Sequence, residues 1–561
     1  MRTTPRHRAR SLLAALVVAT VALSAAPACA AIAGTTSVGT GVRTAVRAEA
    51  GFVTVDPVRF ALVGEPGRLE LTSHRARLWY SFQPADERAA DRPLFVFVNG
   101  GPGAATSTGL FALNTARRTL DPRVTGGADT APNPWSWTTL GNLLYVDARD
   151  TGFSYLMTPQ AASGAARTTL FGAADFNPFL DAADLVRVLL GFLERHPALR
   201  DNPIVLVGES YGGERVTNAL HELLAYRTYG NGTAPYQDPA LVLTIQRHYD
   251  AVFPAYRGRT VPASVAARQF GHQILIQPQL SDGYYDVAAG KLLDRPAPAL
   301  ERISAQTGYP YLTCDQREQL LGQQECDPYD NATSWVDGIA HRDLYSYPHP
   351  RDWSDDLSAR AGERLVSSPG VLSEATGTDV TRVSELYASA RRDVAVRVPD
   401  PRFTGDQAPG ADWVATFGAL RPWDRAMVSW NPPVYVAFVA NHAVQQGYPV
   451  DIASNDVGHR FLRNVRHVRT FLTDAALDLV VYSPGLRAAI AMHRELLSGL
   501  RLDRHSPSTA RRPGRLVLTY RDGSTRTVRY PRYASSGHAV ALGQPGALMR
   551  DVAGWLGPLA R

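Results

Sequence analysis

The sequence has 561 residues, of which 45% are hydrophobic, and this length suits one large domain with an insertion or two domains. Its formal net charge is +6, and residues 1–30 contain four arginines and no acids, which leaves 6 − 4 = +2 for residues 31–561. So small a charge on so long a chain gives no electrostatic basis for binding nucleic acid.

The first thirty residues have the pattern of a secretory signal peptide. Four arginines precede the apolar run 12–23, which ends in the small residues Ala28-Cys29-Ala30. This run is too short to span a membrane, and no later stretch is apolar enough to do so. We therefore expect secretion with cleavage after Ala30, no membrane insertion of the mature chain, and a flexible lead-in over 31–50.

The next segments predict edge strands and then a buried strand. Residues 68–71 and 76–82 alternate apolar and polar side chains, as antiparallel strands at a sheet edge do. Residues 94–98 are all apolar and lead into Asn99-Gly100-Gly101-Pro102-Gly103. Glycines let backbone N–H groups approach a substrate oxygen, so this loop is predicted to form part of an oxyanion hole.

The motif Gly208-Glu209-Ser210-Tyr211-Gly212 is the most informative signal in the chain. Strands are predicted at 143–147 and 204–207, and helical spacing of apolar residues follows from 215 to 226. The motif therefore lies on a sharp turn between strand and helix, where an α/β-hydrolase presents its nucleophile. We expect Ser210 to be that nucleophile, with the N–H groups of Tyr211 and Gly101 as oxyanion donors.

A further buried strand is predicted at 273–277, and strand–helix alternation then stops between 288 and 460. Richness in Trp, Tyr, Pro and Arg suggests that this region is a cap over the site that sets specificity. Cys314 and Cys326 are expected to form a disulfide in an oxidising compartment. No histidines stand near them at zinc-like spacing, so no metal site is expected.

The C-terminal segment contains the candidate general base. Strands are predicted at 479–482 and 516–520, with a turn at Asp522-Gly523, and an amphipathic helix at 547–556. Between them lies Ser536-Gly537-His538. His538 comes after Ser210 in the chain order that α/β-hydrolases use, so we expect it to be the base.

These motifs together resemble the serine carboxypeptidase family of α/β-hydrolases. Asn99-Gly-Gly-Pro-Gly, Gly208-Glu-Ser-Tyr-Gly-Gly and Gly537-His538 stand in the order of that family, and the resemblance covers residues 60–220 well. It implies a mostly parallel mixed sheet with helices on both faces and a large cap insertion. It also implies peptide substrates and removal of C-terminal residues through an acyl-enzyme, without a cofactor or a metal.

The resemblance further implies that Asn99, Gly100 and Glu209 bind the free carboxylate of the peptide. A glutamic acid donates a hydrogen bond to a carboxylate only when it is protonated. Two carboxyl groups in contact share one proton, which raises their pKa. Activity at acidic pH is therefore expected.

The triad acid departs from the family pattern. The family places this acid five residues beyond an aromatic after a late strand. By its pattern and its distance from His538, 479–482 is that strand, so Arg487 occupies the position of the acid. An arginine disfavours the imidazolium that forms during catalysis. Three explanations remain: Asp282 or Asp286 after the strand 273–277 supplies the acid, the enzyme works as a Ser-His pair, or catalysis is lost.

The resulting prediction is a secreted serine carboxypeptidase whose oligomeric state the sequence leaves open. Its domains are a signal peptide (1–30), the lead-in (31–50), two core parts (51–287 and 461–561) and the cap (288–460). One alternative is an esterase or acyltransferase that uses the same acyl-enzyme. Another is a catalytically impaired relative that binds peptides.

Overall fold

The central element of the molecule is an eleven-stranded mixed sheet, seen in a computed structural model. The model describes residues 46–560 with gaps, the longest being 158–173, 226–238, 281–289, 340–353, 396–428, 439–456, 476–489 and 504–513. The predicted signal peptide therefore lies outside the described residues. None of the helices within the described residues combines the length and apolarity needed to cross a membrane.

The strands, numbered in chain order, include ten that form the main path of the sheet. Its order is β1 (Glu49–Val55), β4 (Ala76–Gln83), β8 (Asn142–Val146), β5 (Leu94–Val98), β10 (Ile204–Glu209), β11 (His272–Ile276), β12 (Arg469–Leu472), β16 (Thr525–Arg529), β15 (Arg515–Tyr520) and β14 (Leu497–Asp503). The short β9 (Tyr155–Leu156) pairs with β4. Three two-stranded sheets join β2 (Arg59–Gly64) to β3 (Gly67–Thr72), β6 (Arg118–Thr119) to β7 (Ala131–Pro132), and β13 (Asp474–Ala475) to β17 (Arg532–Tyr533).

The middle of the sheet is parallel, from β8 through β5, β10, β11 and β12 to β16. The flanking pairs β1–β4, β4–β8, β15–β16 and β14–β15 are antiparallel. This arrangement is that of an α/β-hydrolase, and the predicted fold class is confirmed. The carboxyl ends of β10, β11 and β12 meet at one edge, where such sheets hold their sites.

Helices cover both faces of the sheet. They are α1 (Pro122–Thr125), α2 (Pro178–Arg195), α3 (Tyr211–Ala225), α4 (Pro239–Val252), α5 (Ala263–Gln269), α6 (Ala297–Thr307), α7 (Cys314–Leu321), α8 (Pro328–Ile339), α9 (Ser354–Ser367), α10 (Pro369–Thr376), α11 (Val380–Ala395), α12 (Val457–Val465), α13 (Val540–Gly543) and α14 (Pro545–Leu556). A π-helix spans Ser107–Thr115, and 3₁₀ turns lie at Ala89–Asp91, Trp137–Thr139, Pro197–Leu199, Pro254–Tyr256 and Gly557–Ala560.

The uniformly apolar strands are explained by burial on both sides. In β5, Leu94, Val96 and Val98 pack into one hydrophobic cluster, whereas Phe95 and Phe97 pack into the other. Successive side chains of a strand point to opposite faces, so a strand covered on both faces must be apolar throughout. Fully buried side chains contribute roughly 1.5–3 kcal/mol each to folding.

Two predicted strands pair differently from expectation. Residues 68–71 lie in β3, which pairs with β2 in a separate hairpin, and β4 pairs instead with β1. β1 begins at Glu49, inside the stretch predicted to be a flexible lead-in. Its residues are buried in part because it packs beside β4, a neighbour that local sequence does not reveal.

The strand that lies beside β11 is not the predicted one, and this difference matters most for function. The sequence predicts residues 479–482 for the late strand, but the strand beside β11 is β12, Arg469–Leu472. Residues 479–482 themselves lie outside the described part of the chain. The loop that follows the late strand therefore begins about ten residues earlier than predicted.

The region predicted as a cap contains helices that belong to the core. Leu357, Leu365, Leu372 and Leu386, in helices α9 to α11, are buried in the same cluster as Phe97. Among the described residues from 277 to 468, only Trp430 takes part in a β-bridge, and the regular elements are helical. This region therefore supports one face of the sheet as well as approaching the site.

Candidate active site

Ser210 occupies a strained turn between β10 and α3. Its φ is +58°, in the left-handed region that a residue with a side chain adopts at an energetic cost. Its N–H donates to the carbonyl of Ile276 (2.9 Å), and its carbonyl accepts from the N–H groups of Gly213 (2.8 Å) and Gln279 (3.0 Å). These hydrogen bonds hold the strained turn, which presents the serine at the sheet edge as a nucleophile elbow does.

The glycine before the elbow is required by close backbone contact. A Cβ atom built on Gly208 would lie 2.0 Å from the carbonyl oxygen of Gly212. No side-chain movement relieves a contact with backbone, so only glycine fits there. The spacing of the glycines in the motif therefore follows from the geometry of the turn.

The predicted oxyanion loop lies against the nucleophile elbow. A Cβ atom on Gly100 would lie 2.7 Å from the backbone nitrogen of Tyr211 and 2.7 Å from Cβ of Ser210. Gly101 follows with φ of +106°, a conformation that favours glycine. The structure thus brings the loop that carries one predicted oxyanion donor, Gly101, next to the residue that carries the other, Tyr211.

Asn99 and Glu209 form a buried pair beside this loop. Nδ2 of Asn99 donates to Oε1 of Glu209 at 3.0 Å, and both side chains are buried. Burial raises the pKa of Glu209 to about 8, although the hydrogen bond from Asn99 acts in the opposite direction. Oε2 of Glu209 has no hydrogen-bond partner among the described residues. A protonated Glu209 can therefore donate from this pair to an incoming anion.

Asn99 is fixed by three further hydrogen bonds. Its N–H donates to Oγ1 of Thr106 (3.0 Å), its Oδ1 accepts from the N–H of Leu110 (3.0 Å), and its carbonyl accepts from Nη1 of Arg215 (2.6 Å). Arg215 is buried and forms an ion pair with Asp181, with 2.6 Å between Nε and Oδ2. Because Oδ1 is occupied by a donor, the orientation of the amide is set and Nδ2 faces Glu209.

Sequence reasoning did not identify Arg215, Asp181 or Thr106 as parts of the site. Arg215 lies on α3 only five residues after Ser210, but nothing in the local sequence indicates that its side chain returns to Asn99. A buried arginine needs a carboxylate partner, and Asp181 on α2 is 34 positions away in the sequence. That pairing is a tertiary contact.

A substitution at Gly109 tests the orientation of Asn99. A Cβ atom on Gly109 would lie 2.8 Å from both Nδ2 and Oδ1 of Asn99, so Gly109→Ala must displace the amide. We expect KM for a peptide with a free C-terminal carboxylate to rise about tenfold, the value of one hydrogen bond to a charged group. Turnover of an ester substrate, which needs no carboxylate site, should change little.

Gly554→Ala is the matched control, because a Cβ atom there meets nothing within 4 Å. It lies in α14, where alanine is favoured over glycine. Equal KM values in wild type and Gly109→Ala would show that Asn99 does not bind the substrate carboxylate. Thermal unfolding of both variants separates misfolding from local displacement.

His538 is buried and follows the short strand β17. Its carbonyl accepts a hydrogen bond from the N–H of Val540 (2.9 Å) at the start of α13. β17 pairs with β13, and β13 follows β12 directly in the chain. Topology therefore leads His538 to the carboxyl edge of the parallel strands, the edge that also carries Ser210.

The sequence-based prediction of the triad acid concerned Asp282, Asp286 and Arg487. All three lie outside the described residues. The placement of β12 nevertheless changes that argument. β12 ends at Leu472, so Arg487 stands fifteen residues beyond the strand rather than five. The reason for assigning the position of the acid to Arg487 is therefore removed.

The segment that now follows the late strand begins with Thr473 and Asp474. Oγ1 of Thr473 accepts from the N–H of Gln277 (3.0 Å), which joins the ends of β11 and β12 behind the elbow. Asp474 pairs through its backbone with Arg532 in the β13–β17 sheet. The chain thus runs from the late strand straight toward the segment that carries His538.

Residues from the predicted cap reach the oxyanion loop. Trp430 forms an antiparallel bridge with Ala104, and the N–H of Asn431 donates to the carbonyl of Gly103 (2.9 Å). A Cβ atom on Gly101 would lie 2.8 Å from the ring of Trp430. Sequence reasoning missed these residues because their segment carries no motif.

Cys314 and Cys326, also in the predicted cap, form a disulfide.

Comparisons with known proteins match the N-terminal part of the chain, which contains Ser210 and the predicted oxyanion loop. A family model described as serine carboxypeptidase matches residues 60–235. "Serine carboxypeptidase-like 41" of Arabidopsis thaliana is 30% identical over 167 residues, 29% of this chain and 32% of the relative. "Venom serine carboxypeptidase" of Apis mellifera is 29% identical over 188 residues, 32% of each chain. The matches thus span about a third of the length of these curated relatives.

Among solved structures, the chain is similar to Kex1(delta)p, a prohormone-processing carboxypeptidase from Saccharomyces cerevisiae. The superposition has a TM-score of 0.48 at 14% identity and covers 91% of this chain and 90% of the other.

Proposed function

We propose that this chain, whose residues 60–235 match the family model of serine carboxypeptidases, removes C-terminal residues from peptides through an acyl-enzyme. The observation that supports this most is the buried pair of Asn99 and Glu209 beside Ser210. An esterase whose substrates have no free carboxylate does not require a buried carboxyl group that keeps its proton up to about pH 8. A carboxypeptidase does, because it must bind a free carboxylate.

In the proposed mechanism, Ser210 attacks the scissile carbonyl while His538 accepts its proton. The N–H groups of Gly101 and Tyr211 stabilise the oxyanion, an effect that is worth several kcal/mol in acyl transfer. His538 then protonates the leaving amino acid, and water releases the acyl group by the reverse sequence. The route requires no cofactor and no metal.

Recognition of the substrate is proposed to depend on the proton of Glu209. Asn99 and protonated Glu209 each donate a hydrogen bond to the terminal carboxylate, and Gly100 leaves room for that group. An ionised Glu209 would instead repel the carboxylate in a site shielded from water. The proton on Glu209 thus decides whether a peptide acid is bound.

For the triad acid, we propose a carboxylate from the segment after β12, which contains Asp474 and Asp478. This segment leads from the late strand to the pairing of β13 with β17, just before His538. Asp282, after β11, is the competing assignment that the sequence favours. The catalytically impaired alternative loses its main support, because Arg487 no longer stands at the position of the acid.

We also propose that the protein is secreted. The arginines and the apolar run within residues 1–30 support this, as does the disulfide between Cys314 and Cys326. Peptides outside the cytoplasm would then be the substrates.

The experiment that tests the function compares a blocked dipeptide with its C-terminal amide across pH. Glu209 holds its proton below its pKa of about 8, so carboxylate binding is present below that pH and lost above it. KM for the acid should therefore rise about tenfold per pH unit above 8. The amide should show no such increase.

Glu209→Gln is the informative variant, because its amide is a donor that does not titrate. It should bind the peptide acid without the increase in KM above pH 8. Equal turnover of acid and amide, with the same pH profile in both enzymes, would contradict the carboxypeptidase proposal. That outcome would favour an esterase or acyltransferase on the same scaffold.

A further inference from the structure

A pocket of about 380 Å³ is lined by Arg463, Arg466, His467 and Arg526. Arg466 and His467 lie just before β12, and Arg526 is the second residue of β16, which runs parallel to β12. They therefore lie at the amino ends of these strands, whereas Ser210 follows the carboxyl end of β10. The pocket is thus separated from the active site by the length of the sheet.

Two arginines of this pocket, Arg466 and Arg526, are held in place by their neighbours. Nε of Arg526 donates to the carbonyl of Arg466 (2.9 Å), and its Nη1 donates to the carbonyl of Thr525 (2.8 Å). Arg466 pairs with Asp522, and its guanidinium lies 4.9 Å from the ring centroid of Tyr520. Guanidinium groups that are already ordered lose less entropy when they bind a ligand.

The positive charge of the pocket is only partly neutralised. Asp522 offsets Arg466, but Arg463 and Arg526 form no ion pair with any described residue. Partial burial and then the charges of Arg466, Arg526 and Arg463 lower the pKa of His467. Three separate guanidinium groups therefore act on His467 with the same sign.

The C-terminal end of α12 accounts for only one of the cations in this pocket. Cations are favoured at the last turn of a helix, which explains Arg463 at the end of α12. Arg526 comes from a strand of a different part of the chain and is directed into the same pocket. Two elements thus bring their cations to one cavity at the surface.

We propose that this pocket binds a small anion with two adjacent phosphate groups, such as a diphosphate. Two arginines that form no ion pair with a described carboxylate match two phosphates, and guanidinium groups bind phosphate oxygens in a bidentate manner. The volume lies within the range of small-molecule sites. This inference is independent of the proposed peptidase function, because no residue of the active site takes part.

The test measures binding of pyrophosphate to the full-length protein by calorimetry at low salt. Arg463→Gln and Arg526→Gln should each weaken binding about tenfold, the value of one charge-assisted contact. Arg382→Gln is the matched control, since Arg382 is an exposed arginine on α11 that pairs with Glu385. Ser210→Ala should bind like wild type, and Arg463→Gln should keep wild-type peptidase activity.

His467 supplies a second measurement. A bound diphosphate opposes the three guanidinium charges, so the pKa of the imidazole should rise when its NMR signal is titrated with pyrophosphate present. Arg463 is exposed, so its substitution leaves folding intact. Equal affinity in wild type and Arg463→Gln, or an unchanged His467 titration at saturating pyrophosphate, would overturn the proposal.

Discussion

Ser210→Ala is expected to lower turnover of peptide and ester substrates by about 10⁵ to 10⁶, the range seen when an enzyme loses its nucleophile. The oxyanion donors and the carboxylate site remain in this variant, so KM should change little. A fluorophosphonate probe should label the wild type and leave the variant unlabelled. The reason is that the strained turn holds the Ser210 hydroxyl at the carboxyl edge of the sheet.

The same experiment needs a check that the serine and histidine act together. His538→Ala should lose about as much activity as Ser210→Ala, and the double variant should be no worse than either one. Ser498→Ala is the control, because Ser498 lies in β14 and its hydroxyl donates to the backbone carbonyls of Thr519 and Tyr520 in β15. Labelling that survives in Ser210→Ala, or additive losses in the double variant, would contradict the assignment.

Ser210 and its loop could be predicted from sequence because their signals are local. The turn needs Gly208, since the carbonyl of Gly212 leaves no space for a side chain. The strands β5 and β10 are apolar on both faces because helices cover both. Such requirements are imposed by neighbours that stand close in the sequence or by burial alone, and a single sequence records both.

β12 could not be predicted in the same way. Its four residues include exposed Arg469, and they give a weaker apolar signal than the run 479–482. What makes it a strand is its pairing with β11 on one side and β16 on the other. The contacts of Arg215 with Asp181 and of Trp430 with the oxyanion loop have the same origin. Each joins segments that are distant in the chain, and no periodicity encodes them.

The misplaced strand leads to the second large prediction, which concerns the triad acid. Asn substitutions at Asp474 and Asp478 should separate the roles of these residues from those of Asp282 and Asp286. We expect one of the first two to lower turnover about 10³- to 10⁴-fold, because a histidine without its carboxylate loses orientation and imidazolium stabilisation. Asp282→Asn and Asp286→Asn should remain within a few-fold of wild type.

The measurement is kcat on an ester substrate together with the rate of fluorophosphonate labelling, so that peptide binding does not enter. Thermal unfolding is followed in every variant, since Asp474 pairs through its backbone in β13 and a structural loss would lower Tm instead. Arg487→Gln is the control for the earlier assignment and should leave turnover unchanged.

The four Asp variants have distinct outcomes. A collapse of turnover in Asp282→Asn alone would return the acid to β11 and leave β12 as a purely structural strand. Near-wild-type turnover in all four would indicate a Ser-His pair. The expected result has a simple topological reason: the segment after β12 contains β13, which pairs with β17 just before His538, whereas β11 lies in the central sheet and does not pair with β17.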